Sequence, residues 1–184
     1  MTLIKSIVIS ALVASAILAS TALGERRGLV AHYPFDEGSG AIVHDASGNG
    51  NDGSIHGAHY VDMKDGFALA FDGDDDYVLI PSSDRLKITD TITVEIWVNT
   101  RYASTGIAMA KNGHSELRQN YIIQLQENGV QFAIVEASAD KKGIEWGARS
   151  SAINVDTWHH IAGTYDGDQI KIYIDGELRG SNQQ

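Results

Sequence analysis

Beyond the first two dozen residues, apolar and polar positions alternate in short runs. In Thr93–Val98 the residues Val94, Ile96 and Val98 fall on one face, and Thr93, Glu95 and Trp97 on the other. In the run 169–175 the isoleucines 170, 172 and 174 share a face and leave Lys171, Tyr173 and Asp175 outward. Further runs of strand-forming residues cover 29–33, 67–72, 77–80, 107–111, 121–126, 130–136 and 158–165. The chain holds 19 glycines and 2 prolines, and the glycines most often follow Asn, Asp or Ser, which marks tight turns between the runs. No helical periodicity follows the N-terminal segment. The pattern predicts an all-β fold: a two-sheet antiparallel sandwich or jelly roll. The most acidic stretch, Asp72-Gly73-Asp74-Asp75-Asp76, lies between Phe67/Leu69/Phe71 and Tyr77–Ile80, and predicts the turn of a β-hairpin.

The N-terminal segment follows a different rule. One lysine, Lys5, precedes the apolar run Ile7–Leu18, and Ala22 and Gly24 place small side chains at a cleavage site. Residues 1–24 read as a signal peptide, with a mature chain from Glu25 that is secreted, periplasmic or on the cell surface. The run is short for a bilayer crossing and no stop-transfer pattern follows, so no membrane span is expected once the signal is removed. Loss of Lys5 leaves 13 basic against 24 acidic residues, moving the formal charge from −10 to −11. An acidic surface without a basic cluster disfavours nucleic acid as a partner. The chain has no cysteine, so an exported form relies on its core, or on a bound metal, for stability. The roughly 160 residues from 25 to 184 suffice for one core.

Several motifs, taken in order, resemble one family. They are Gly28-Leu29-Val30-Ala31-His32-Tyr33-Pro34-Phe35-Asp36-Glu37-Gly38-Ser39-Gly40, then Asp45 to Gly53, Phe71-Asp72-Gly73 with Asp76-Tyr77-Val78, and Thr93 to Val98. Thr157-Trp158-His159-His160-Ile161-Ala162-Gly163-Thr164-Tyr165-Asp166-Gly167 and Ile172 to Gly176 complete the set. Together they resemble the laminin G-like jelly-roll domains of the bacterial concanavalin A-like lectin/glucanase superfamily, from Gly28 to the end. The resemblance implies two stacked antiparallel sheets and a role in carbohydrate binding or adhesion. Domains of this kind usually continue through further strands with a Gly-x-x-Asp-Glu segment. The expectation is therefore a domain over 25–184 whose last strands are missing, belonging to a longer chain or completed by a partner.

Two acidic loops are candidate calcium ligands. Asp45, Asn49, Asn51 and Asp52 carry side-chain oxygens in a glycine-rich loop, and Asp72 and Asp76 flank the second turn. Calcium takes six to eight oxygens, and such loops can also supply carbonyls. The same residues equally make solvated Asx-Gly turns. The resemblance favours a structural calcium, with Asp45, Asn49, Asn51, Asp72 and Asp76 as the set and one cation joining the loops. The seven histidines show no zinc spacing, and His160 and Trp158 read as strand packing.

Sugars are held by aromatic faces and a few polar groups. Trp97, Tyr102, Tyr121 and Trp146 lie on or beside predicted strands with polar neighbours, and form the candidate glycan site. Trp97 also fits the core, and Trp146 reads as the more exposed. A retaining glycosidase on this fold needs carboxylates about 5 Å apart, projecting from one strand face. No strand carries acids two residues apart, and Trp97 follows Glu95 at that spacing. The expectation is an exported non-catalytic module that binds a glycan or polysaccharide. Its alternatives are the accessory part of a larger glycoside-degrading enzyme, or a protein-interaction domain at the cell surface.

Overall fold

The computed structural model describes residues 1–10, 28–88, 90–101, 105–111, 120–136 and 144–183. The described chain runs through β1 (Thr2–Ser10), β2 (Leu29–Tyr33), β3 (Ile42–Val43), β4 (Gly53–His56), β5 (His59–Asp62), β6 (Phe67–Phe71), β7 (Tyr77–Leu79) and a single 3-10 turn at Asp84–Leu86. It continues through β8 (Ile92–Thr100), β9 (Gly106–Ala110), β10 (Asn120–Gln126), β11 (Gly129–Glu136), β12 (Ile144–Arg149), β13 (Trp158–Tyr165), β14 (Gln169–Ile174) and β15 (Glu177–Gln183). All the described strand pairs are antiparallel.

The main sheet has the order β15-β14-β13-β8-β1-β6-β5, with β2 paired to β1. Against its inner face lies the four-stranded sheet β12-β11-β10-β9, and a small third sheet is ordered β3-β4-β7. Strict alternation builds the interface. Val94, Ile96 and Val98 of β8, Ile161 of β13 and Ile170, Ile172 and Ile174 of β14 meet Ile123, Val130, Phe132 and Ile134 from the facing sheet. Gly163 of β13 faces inward under the Phe132 ring, where an added Cβ would lie 2.2 Å from the ring carbon Cγ. A glycine at this point lets the two sheets close over a fully buried phenylalanine.

The sandwich follows the alternation, but three features depart from it. The acidic run 72–76 is not a hairpin turn: β6 pairs with β5 and β1 in the main sheet, whereas β7 pairs with β4 in the small one. The run carries the chain from one sheet to another. Its flanking strands have the right composition, but pairing is decided by which edges lie free, and β5 had already taken the edge of β6. The first part of the segment read as a leader, Thr2–Ser10, forms β1, a nine-residue strand inside the main sheet, and residues 11–24 lie outside the described residues. After the tight Asp175-Gly176 turn, both of whose residues have positive φ, the chain adds one more strand, β15, along the edge of β14.

Candidate functional site

The outer face of β8 and β13 brings aromatic and polar side chains together. Odd positions of β8 point away from the core, so Glu95, Trp97 and Asn99 line up on this face. Cross-strand register sets Trp158 beside Asn99, His160 beside Trp97 and Ala162 beside Glu95. Trp97 is 43% exposed, an unusual state for a tryptophan in mid-strand. The His160 ring lies 5.1 Å from it, tilted by 43°, and His160 Nε2 is 3.3 Å from Glu95 Oε2.

Two connections wall this face into a cleft of about 420 Å³ lined by Pro34, Asp36, Met63, Lys64, Asp65, Trp97 and Trp158. One wall follows β2. Phe35 takes the left-handed conformation, φ 59°, and buries its ring in the core. Its neighbours Pro34 and Asp36 are thereby set at the cleft. A bulky residue accepts that backbone only when its surroundings hold it. Here Glu37 does so, accepting from the Tyr60 hydroxyl (2.8 Å) and the His44 amide (2.7 Å). Burial, and then Glu37, push the Tyr60 hydroxyl above its ordinary range, so it stays a donor. The second wall is the turn Met63–Gly66, closed by the Met63 amide donating to the Gly66 carbonyl at 2.9 Å. Gly66 has φ 87°, and a Cβ there would meet Asp36 Oδ1 at 2.8 Å, so the walls approach only across a glycine.

The floor is pinned from behind. The Asp175 carboxylate accepts from the His160 amide (2.9 Å) and lies 2.7 Å from His159 Nδ1, while the Asp175 amide donates to the His160 carbonyl. Burial would raise the Asp175 carboxyl, but the His159 ring and the His160 amide outweigh it and hold the group below its ordinary range. His159, on the core side, is buried, and its Nε2 has no hydrogen-bond partner among the described residues.

The aromatic residues expected from sequence do not assemble into one site. Trp97 lies in the cleft. Tyr121 is buried in the core on β10, 3% exposed, with burial pushing its hydroxyl up to about 12. It presents no face to a ligand, because its register against Ile134 turns it inward with Ile123 and Leu125. Tyr102 lies outside the described residues. Trp146 is described by its backbone alone, on β12 at the edge of the other sheet. The second cleft tryptophan is Trp158, read from sequence as packing. Its signal was available: with Ile161 and Tyr165 inward, period two puts Trp158 on the outer face with His160.

The two acidic loops also separate. Asp45 is buried, and both its oxygens are occupied: Oδ1 accepts from the His32 and Ser47 amides, Oδ2 from the amide and side-chain nitrogen of Asn51. Burial raises its pKa, but the Ser47 hydroxyl and the three amides more than compensate, leaving it below the ordinary carboxylate range. The Asn49 side-chain nitrogen donates to the Leu29 and Val30 carbonyls, and Asn51 Oδ1 accepts from the Ser83 hydroxyl. Hydrogens pointed at an oxygen repel a cation from it, so the Asp45 carboxylate and the Asn51 side-chain oxygen are turned to hydrogen-bond donors rather than to calcium. Asp72, Asp75 and Asp76 do offer three carboxylate oxygens within 4.8 Å of one another, and this group does not include Asp45. One cation joining the two loops is therefore not supported.

Residues 72–184 match the concanavalin A-like lectin/glucanases superfamily, and the chain belongs to it. Among solved structures it is similar to domain 4 of AbnA, a GH43 extracellular arabinanase from Geobacillus stearothermophilus determined in complex with arabinotriose. The TM-score is 0.61 at 22% identity, over 84% of this chain and 75% of that one. An S-layer domain-containing protein from Clostridium thermocellum matches at a TM-score of 0.48 and 24% identity, over 83% of this chain and 71% of that one. No curated protein sequence matches the chain. Among the described residues no helix is long and apolar enough to cross a membrane.

Proposed function

We propose that this chain is an extracellular carbohydrate-binding module whose ligand lies in the cleft over Trp97 and Trp158. The observation that carries this reading is the pair of tryptophans from adjacent strands, one of them 43% exposed, lining one cavity beside Asp36, Asp65 and Lys64. Indole faces take the C–H side of a sugar ring, and the carboxylates and ammonium reach its hydroxyls. A neighbouring structure of similar fold holds arabinotriose, which makes arabino-oligosaccharides the first probe.

Binding without cleavage is part of the proposal. A glycosidase acid must hold its proton near neutrality, so its pKa is raised. Among the described residues the carboxylates that shift, Asp45, Asp52, Asp84, Asp166 and Asp175, all shift downward. Calcium is retained only at the turn of Asp72, Asp75 and Asp76, where exposed carboxylates would be completed by water and bind weakly.

Titration calorimetry of the whole chain against arabinan, xylan and β-glucan oligosaccharides tests the reading. Trp97→Ala is expected to weaken binding about tenfold, the worth of one stacking face, with the melting temperature kept. Trp158→Ala is expected to weaken it similarly. Binding undiminished in both variants would overturn the cleft assignment, and reducing ends released by the wild-type protein would overturn the non-catalytic one.

A further inference from the structure

The cleft pairs aromatic surface with an excess of negative charge. Trp97, Trp158 and Met63 present ring faces and a thioether to it. On one wall Asp36 is exposed, and its carboxylate has no hydrogen bond or ion pair among the described residues. Its Oδ1 would lie 2.8 Å from a Cβ on Gly66, so the carboxylate reaches across toward the opposite wall. That wall carries Lys64 and Asp65, adjacent in the turn. Glu95 shares the outer face of β8, two residues from Trp97, with its side chain 38% exposed. Even with Asp65 set against its neighbour Lys64, Asp36 and Glu95 leave the indoles in negative surroundings.

The face of an indole attracts cations through its quadrupole, and nearby carboxylates act in the same direction. An anion meets repulsion from both. Cross-strand register places Trp158 beside Asn99 and His160 beside Trp97, which makes the two tryptophans diagonal neighbours. Such neighbours stand roughly 7–8 Å apart, so a sugar ring stacked on one indole carries its substituents toward the other.

We propose that the cleft selects amine-bearing glycans, chains of 2-amino-2-deoxy sugars with free amino groups, over neutral chains and against uronic acid chains. This inference rests on the reading of the cleft as a glycan site. The C–H face of one ring packs on an indole, and its ammonium meets the second indole and the Asp36 carboxylate. Lys64 opposes the ammonium and limits the preference.

Titration calorimetry of the whole chain against β-1,4-linked tetramers tests the proposal: glucosamine, N-acetylglucosamine, glucose and glucuronic acid. The buffer is dilute and mildly acidic, so that the sugar amines are protonated and carboxylates ordinarily remain ionised. The glucosamine tetramer is expected to bind about tenfold more tightly than cellotetraose, and the glucuronic acid tetramer at least about tenfold more weakly. The N-acetylglucosamine tetramer, which keeps the nitrogen without its charge, should stay near cellotetraose. Added salt should narrow the preference. Asp36→Asn should narrow it and Lys64→Gln should widen it; both positions are exposed, and melting curves check that both variants fold. The chain carries a formal charge of −10 and attracts any polycation, so tetralysine is the control. It should bind more weakly than the glucosamine tetramer and be indifferent to Trp97→Ala. Neutral tetramers that bind through Trp97 as tightly as glucosamine would overturn the amine preference and leave the glycan site standing. The preference is equally refuted by tetralysine matching the glucosamine tetramer, or by an unchanged ratio in Asp36→Asn. If no tetramer responds to Trp97→Ala or Trp158→Ala, it is the cleft assignment itself that fails.

Discussion

The Asp45 loop and the Asp72–Asp76 turn have nearly the same composition and opposite roles. Both mix carboxylates with glycine and lie between strands. In the first, amides and a side-chain amide converge on one buried carboxylate, Asp45, whose own amide donates to Asp52 Oδ1 at 2.8 Å. In the second, hydrogen bonds stay local. The Asp72 amide donates to Asp76 Oδ2 and the Asp74 amide to Asp72 Oδ1, and three carboxylate oxygens still crowd together. What separates a structural acid from one ready for a cation is the direction of nearby N–H groups, not the number of acids.

The largest effect expected on this contrast is from Asp45→Ala. Four donors from three residues lose a charged acceptor, and burial limits replacement by water. A loss of about 3 kcal/mol follows, or roughly 6–12 °C in melting temperature for a domain of this size. The drop should be equal in calcium and in chelator, because the Asp45 oxygens already accept from N–H donors. A drop seen only in calcium would reverse the assignment of the two loops.

Acid unfolding comes next. Asp45 and Asp175 titrate below the ordinary carboxylate range when folded, so the unfolded chain takes up their protons first. Their contribution is present in full above about pH 4 and is lost as pH falls through the folded values. Urea melts of Asp45→Asn between pH 6 and pH 2.5 should show a shallower acid limb than wild type. An unchanged limb would mean that the amides around Asp45 do not depress it.

A smaller effect is expected where the second turn meets β4. Gly57 has φ 77°, and a Cβ there would lie 1.8 Å from Asp76 Oδ1. Gly57→Ala is expected to cost about 1–2 kcal/mol from the left-handed backbone and the displaced carboxylate. It should also abolish any melting shift that calcium produces. A calcium shift surviving in this variant would place the cation elsewhere.

The smallest effect is that of calcium itself. At ten times its dissociation constant a ligand of the folded state adds about 1.4 kcal/mol, or a few degrees. Asp75→Asn should remove this shift and, without calcium, should raise the melting point slightly by relieving repulsion. No shift in wild type across millimolar calcium would mean that the turn is only a solvated crossing between sheets.

Most of the sandwich was legible because period-two alternation reports burial on one face. β8, β13 and β14 keep that alternation along their whole lengths. β15 was not legible: Glu177–Gln183 is almost wholly exposed, and the tight Asp175-Gly176 turn and its pairing with β14, not hydrophobicity, make it a strand. The false hairpin at 72–76 shows the limit of local reading, since a turn composition does not say which edge the next strand will find. In the proposed cleft, the outward position of Trp97 was legible from its register opposite the Val94/Ile96/Val98 face. Trp158 was missed because aromatic size was weighed above strand phase. The walls of the cleft were beyond reach, because Asp36 and Asp65 meet Trp97 only through long-range sheet order.

The exposure of Trp97 gives the cleft an optical property. Its indole is 43% exposed and lines the cavity. A glycan settling over it would shield it from water and shift its emission to shorter wavelength. The ring that takes the sugar would thus report its arrival without an added label.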